Sequence, residues 1–536
     1  MRIENVSGYL PTYIAGIVLL LSCILEAGWD VWSKTPLHLI TSAGIFLYFI
    51  SDTPKTGFPL SGSPRFNLSP LRLFAFGLPS PRPGTSRIRP AVFLFSFLLF
   101  FLLSYLFSKI RFNAQLELHN WINYIALYYL FTQFSDAGRK RALNFLAPAV
   151  FIISAVAIYQ TIFLKQSPPP STMINANVLA GYIIMSLPCI LYMYQQEGTK
   201  TKKYLLLVTL CVSAICLLFT RSGAAILALA TAVLITKLSV KRGIILSFLI
   251  FLIFLGLKTL SPDAVNRLLW WESSVRIIRD HPLLGTGPGS FEFVYPLYKT
   301  AELSSVFAHN YFLQLAGDMG IPALIMLVLF LYKSIGRTEN TYFKIAILSI
   351  LIQNIFDYNL SIPANAILFW SLLGIAHPRA EHETDDTNRC NTCQNTATGN
   401  CTDTTRHTVA VPFLVVVLLI TFLLISYSES VIRTYNATLH YSAGRNLSRA
   451  GIPDEAMLNG AMLNEAMLDE AEEKLKKSIR IMDNIWPAHA ELAAVYLKKY
   501  KASRYRSYLY ESEVSFENAK RHNPFLKPFL KQTWKK

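Results

Sequence analysis

Residues 200–237 read KTKKYLLLVTLCVSAICLLFTRSGAAILALATAVLITK. A basic cluster, an apolar run, a single Arg221 and a second apolar run follow one another and end at Lys237. Runs of roughly 17–25 apolar residues match the hydrocarbon thickness of a bilayer. The stretch therefore reads as two membrane helices joined at Arg221, with Lys/Arg on the side where both helices begin and end. The same grammar recurs outward in both directions. The chain has 536 residues, of which 52% are hydrophobic and 15% charged, against about 25% charged in soluble domains. Apolar spans are expected near 8–26, 36–51, 90–108, 120–135, 142–164, 176–195, 204–220, 222–239, 243–260, 311–333, 343–357, 361–376 and 408–427. The expected fold is all-α, a polytopic membrane helix bundle of about 12–13 spans. It carries one large loop and a small helical C-terminal domain.

The connections after the even-numbered spans hold the positive charge. They carry Arg65, Arg72, Arg82 and Arg87, then Arg139-Lys-Arg141, Lys200 to Lys203, Lys241-Arg242, and Lys333, Arg337 and Lys344. The positive-inside rule puts these connections in the cytoplasm, and the loop 261–310 and the tail on the far side, which in a bacterium is the periplasm. The net charge of +17 is thus spread over short loops and the tail, so no nucleic-acid partner is expected; the partners are membrane lipids and what they carry. No cleavable signal is evident, because the first apolar run lacks a small-residue cleavage site. The Pro/Gly/Ser/Arg-rich residues 51–90 read as a linker or an interfacial segment. The Thr/Asn-rich residues 377–407 read as a disordered linker. Its Cys390, Cys393 and Cys401 with His407 fit no common zinc spacing, and metal or filler both remain open.

A loop of some fifty residues exceeds what helix connection requires, and long loops usually carry function. Its ends are Arg267-Leu-Leu-Trp-Trp271 and Ala308-His309-Asn310; between them lies His281-Pro-Leu-Leu-Gly-Thr-Gly-Pro-Gly289-Ser-Phe. The glycines lack the Lys-Ser/Thr of a phosphate-binding P-loop and read as a turn ending a helix Arg267–Asp280. Arg276 sits four residues after Glu272 and either pairs with it or binds substrate. Arg221 at a span junction is a functional hypothesis or a snorkelling side chain. His309 is a proton carrier or a helix-capping residue. Two arginines and a histidine at span ends on one side form a basic site suited to a phosphate-bearing lipid. A transporter, which also concentrates charge at membrane depth, is the reading from another class.

In the tail, residues 454–472 form an imperfect five-residue repeat, DEAML-NGAML-NEAML-DEAEE. From Ala471 the pattern, with its Trp486-Pro487 turn, resembles one tetratricopeptide helix and the start of the next. The basic run Tyr500 to Tyr510 suits anionic headgroups or glycolipids, or is a solvated helix face.

In order, Asn175-Ala-Asn177-Val-Leu-Ala-Gly181, Thr220-Arg221-Ser-Gly-Ala-Ala, the loop opening Arg267 to Phe291, Ala308-His309-Asn310 with Gly317-Asp318-Met-Gly320, and Asp357-Tyr-Asn-Leu resemble the O-antigen ligase and O-antigen polymerase family of bacterial glycosyltransferases. The resemblance covers roughly residues 90–376, with residues 1–89 as a first span pair and linker, 408–427 as a last span and 428–536 as a periplasmic tail. Asp318 stands where Glu is more usual. The resemblance implies an inner-membrane enzyme that moves a glycan from undecaprenyl diphosphate, by inversion and with neither metal nor cofactor. The acceptor it implies is lipid A-core for a ligase, a growing chain for a polymerase, or a protein for an O-oligosaccharyltransferase. Arg221 and Arg267 would hold the diphosphate, and His309 would activate or position the acceptor hydroxyl. Arg276, Asn177, Asn310 and Asp318 would contact substrate or support those that do.

Overall fold

The run 200–237 folds as two helices, Lys200–Phe219 and Gly223–Lys237, that turn at Thr220-Arg221-Ser222. The computed structural model describes residues 6–28, 30–51, 90–238, 242–243, 245–246, 262–301, 303–377, 410–450 and 458–526. Every regular element among the described residues is helical. The membrane part comprises α1 (Val6–Ile24), α2 (Val31–Ser51), α3 (Pro90–Leu106), α4 (Arg111–Gln133), α5 (Asp136–Leu143), α6 (Leu146–Ile162), α7 (Ala176–Gln196), α8 (Lys200–Phe219) and α9 (Gly223–Lys237). The loop follows as α10 (Pro262–Asp280) and α11 (Phe291–Tyr298); then come α12 (Tyr311–Met319), α13 (Ile321–Arg337), α14 (Thr341–Gln353) and α15 (Pro363–Ile375). The chain ends in α16 (Ala410–Ala450), α17 (Leu458–Ile481), α18 (Trp486–Ser503) and α19 (Arg506–His522).

Three helical stretches, 136–162, 176–196 and 200–219, are long and apolar enough to cross a membrane, and five shorter apolar helices accompany them. Twelve of the expected spans each coincide with a helix; most of the ninth, 243–260, lies outside the described residues, as do the linker 52–89 and the cysteines at 390, 393 and 401. Helix α15 is the axis of the bundle, buried along its whole length. It packs on α4, α1 and α7, and Trp370 nests among Trp121, Tyr128 and Phe330. Such aromatic pairs add about 0.5–1.5 kcal/mol each beyond the area they bury. The outer faces instead display Phe95, Leu205, Leu218 and Tyr332, an apolar coat that water does not solvate and lipid does.

Three boundaries differ from the sequence expectation. The span at 311–333 is broken at Gly320, whose φ of +88° stops α12 and lets α13 restart with Pro322 in its first turn. The helix of the loop begins at Pro262, upstream of Arg267. Helix α16 runs unbroken for 41 residues, about 60 Å, through the expected boundary at 427/428. Only half of that length is needed for the hydrocarbon, so the remainder projects from the bundle. Against it fold α17 and α18, their core of Leu468, Ala471, Leu475, Ile485 and Leu492 closing over Ala437 of α16 and Phe112 of α4. The tail is thereby joined to the membrane part. Trp486 Nε1 donates to Asn113 Oδ1 (3.0 Å), and its ring meets Phe293 of α11 edge-on.

The two ends of the bundle differ. At one, Arg139 donates to the carbonyls of Phe131, Thr132 and Ile375, satisfying the C-termini of α4 and α15. A cavity of about 490 Å³ opens beside it, lined by Arg139, Lys140, Tyr192, Glu339 and His377. None of the expected site residues lies there. At the other end gather the loop α10–α11, the start of α7, the α14–α15 turn and the tail.

Candidate active site

The site is built where three chain breaks meet. Asn175 caps α7, its Oδ1 accepting from the N–H groups of Asn177 and Val178 (2.9 and 3.0 Å). Asn310 caps α12 in the same way through Phe312 and Leu313 (3.0 Å each). Both side chains supply the oxygen that an exposed helix start lacks. The turn after α14 is then tied to both. The N–H of Tyr311 is shared by the carbonyls of Asn354 and Asp357. Asn175 Nδ2 donates to the Tyr358 hydroxyl (2.8 Å), and Gln353 and Asn359 donate to the carbonyl of Asn177.

His309 sits at the centre of this junction. Its backbone is left-handed, φ +50°, a conformation costing an L-residue about 1–2 kcal/mol. Such strain survives where surrounding contacts over-determine the residue, and here they do. The imidazole stacks on Trp270 at 4.2 Å and 17°, and meets Tyr358 edge-on at 4.9 Å. Trp271 Nε1 donates to the His309 carbonyl (3.2 Å), and Phe307 stacks on the far face of Tyr358. His309 Nδ1 lies 3.9 Å from Asp357 Oδ1, with His309 23% exposed and Asp357 1%. The imidazole thus stays partly exposed while its Nδ1 lies toward a buried carboxyl.

Asp357 lies beyond the end of α14 at Gln353, in the turn before α15. Burial pushes its carboxyl up to about 6, against the N–H of Tyr358 and the positive charge of Arg267, which pull it down. That influence places Arg267, on α10 one turn before Trp270 and Trp271, within electrostatic reach of the pair. Neither Arg267 nor Arg221 forms a salt bridge among the described residues. Arg221 is exposed at the α8–α9 turn, and its backbone too is left-handed, φ +54°. Helix α8 packs on α7 and α9 on α14, which sets that turn at the end of the bundle where Asn175 and Asp357 lie. No hydrogen bond among the described residues joins Arg221 to the cluster.

The remaining expected residues take supporting places. Arg276 pairs with Glu272 at 2.7 Å, an exposed i,i+4 pair worth a few tenths of a kcal/mol. Asn177 presents its backbone carbonyl to the α14–α15 turn, and Asn310 is committed to its cap. Asp318 is buried beneath the glycine turn, in reach of Ser290 (3.3 Å), while the carbonyls of Gly317 and Asp318 accept from Thr286 and Gly287. A Cβ on Gly285 would fall 2.3 Å from the Asp318 carbonyl carbon, so backbone packs directly on backbone there. The glycines therefore weld the loop to α12.

Residues 205–328 match the family model described as O-antigen ligase. Over that segment, about a quarter of the chain, the sequence is similar to the O-antigen ligase family. The matched segment includes Arg221, Arg267 and His309 and ends within α13, in agreement with the resemblance read from the motifs over those residues. Comparison with curated proteins finds no match. His309 and Arg267 are legible in the sequence as candidate site residues, whereas Asp357, Trp270, Tyr358 and Asn175 stand within its motifs without an assigned role. An acid at a span end was the available signal.

Proposed function

We propose that this protein transfers a glycan from undecaprenyl diphosphate to an acceptor hydroxyl on the periplasmic face of the inner membrane, with lipid A-core as acceptor. The observation that carries the reading is the His309–Asp357 pair within electrostatic reach of Arg267, with His309 and Arg267 inside the segment that matches the family and Asp357 beyond its end. The acceptor oxygen attacks the anomeric carbon from the face opposite the diphosphate, so the new C–O bond forms as the sugar–phosphate bond breaks and the configuration inverts. The electron pair leaves on the diphosphate. Arg267 and Arg221 hold that charge through planar, permanently protonated guanidiniums. The hydroxyl proton passes to the partly exposed imidazole of His309. Asp357, when ionised, fixes the ring and stabilises the imidazolium. No step draws on a metal.

The test is reconstitution with a defined lipid-diphosphate glycan and lipid A-core in proteoliposomes. A single transferred glycan marks a ligase, and a ladder marks a polymerase acting on growing chains. Arg221→Ala, Arg267→Ala and His309→Ala each abolish product at unchanged expression. Full activity of His309→Ala would remove the base assignment.

A further inference from the structure

Away from this site, the tail brings three chemically suited side chains together. Asp483 lies in the turn between α17 and α18, His489 in the first turn of α18, and His522 closes α19. We propose that Asp483, His489 and His522 form a binding site for one divalent transition metal of the zinc type, which staples the three helices of the tail. This inference is independent of the transfer reaction.

The geometry carries it. His489 Nε2 lies 3.7 Å from Asp483 Oδ1, and His522 Nε2 lies 3.4 Å from Asp483 Oδ2. The three ligand atoms are all within 4.8 Å of one another. The imidazole rings lie side by side at 5.5 Å and 25°, so both Nε2 atoms address the same carboxylate. Tetrahedral zinc with bonds near 2.0 Å sets its ligand atoms about 3.3 Å apart. Closing the remaining gap requires rotation of Asp483, 80% exposed, and His522, 21% exposed, and a shift of the His489 ring that takes its Nε2 off the Asp483 carbonyl.

The donor set selects the class of ion. Two imidazole nitrogens and one carboxylate suit zinc, cobalt, nickel or copper, whereas calcium and magnesium prefer oxygen alone. Three protein ligands leave a fourth position for water, and the exposed carboxylate gives the ion a path from solvent. Without metal, His489 Nε2 lies 2.8 Å from the Asp483 carbonyl and carries a proton toward it; that proton leaves as the metal–nitrogen bond forms. Trp486, between Asp483 and His489, is the residue that seats the tail on Asn113 and Phe293. Metal held at this corner therefore rigidifies the turn that contacts the glycan-transfer loop.

The experiment uses the full chain in detergent, purified without a histidine tag and stripped with a chelator. Cobalt(II) is titrated by its visible absorption, and zinc by competition with a chromogenic chelator. The expected result is one equivalent bound, with His522→Ala and Asp483→Asn each losing more affinity than the roughly 10–100-fold cost of an outer supporting contact. His440→Ala, on α16, binds as the unaltered chain does. Zinc raises the Tm of the unaltered chain and leaves that of His522→Ala where it was. Absence of cobalt bands, or an affinity in either ligand variant equal to that of the unaltered chain, overturns the site.

Discussion

Replacing Asp357 with Asn separates what its carboxylate does for chemistry from what it costs the fold. At 3.9 Å and an effective dielectric near 20, a carboxylate and an imidazolium attract by about 4 kcal/mol. Losing that in the transition state slows transfer by about 10³-fold. The stability effect has the opposite sign. A carboxyl shifted from 3.8 to about 6 makes the ionised fold less stable by about 3 kcal/mol. Its folded pKa is raised, so the contribution favouring the fold is complete below pH 3.8 and is lost as pH rises through 6. At pH 7.5 the Asn variant is thus at least as stable as the unaltered chain, while below pH 4 it loses this advantage. The assay pairs product formation in proteoliposomes with thermal unfolding in detergent, both from pH 4 to 8. Transfer by the unaltered chain rises through an apparent pKa near 6 as Asp357 ionises. A variant retaining activity within threefold, or melting earlier than the unaltered chain at pH 7.5, refutes the reasoning.

Three further outcomes follow from the same geometry. Arg221→Gly relieves a left-handed backbone and removes the guanidinium, so thermal unfolding shows a gain of about 1 kcal/mol while glycan transfer is lost. Trp270→Ala removes the ring stacked 4.2 Å from His309; steady-state kinetics show kcat down about fivefold with KM for the donor little changed, given the roughly 1 kcal/mol worth of such a contact. Gly320→Ala sets a Cβ 2.1 Å from the Leu283 carbonyl oxygen at φ +88°, costing about 2 kcal/mol or more. Gly336→Ala, with nothing within 4 Å, leaves the melting temperature unchanged or slightly raised.

Much of the helical architecture was legible because the length and apolar character of a span are local properties. The run 200–237 announces two helices and a turn without reference to any other residue, and Asn175 and Asn310 cap helices by contacts two and three residues away. The glycine turn was also legible as a turn, though its partner was not. What depended on packing was everything that crosses between elements. Gly320 breaks an apolar run that composition alone joins, because Leu283 occupies the space beside it. Helix α16 continues past the membrane boundary because α17 and α18 cover a face that would otherwise lie exposed. Arg267 and His309 are sequence-readable as charged span ends, yet the sequence does not say that Asp357, 48 positions beyond His309, meets the imidazole, or that Trp270 and Tyr358 enclose it. Those contacts arise because α12 and the α14–α15 turn share a hydrogen-bonded junction that brings distant chain breaks together. Residue type and spacing therefore determined which groups stand at the membrane's edge; only the packing of helices decided which of them touch.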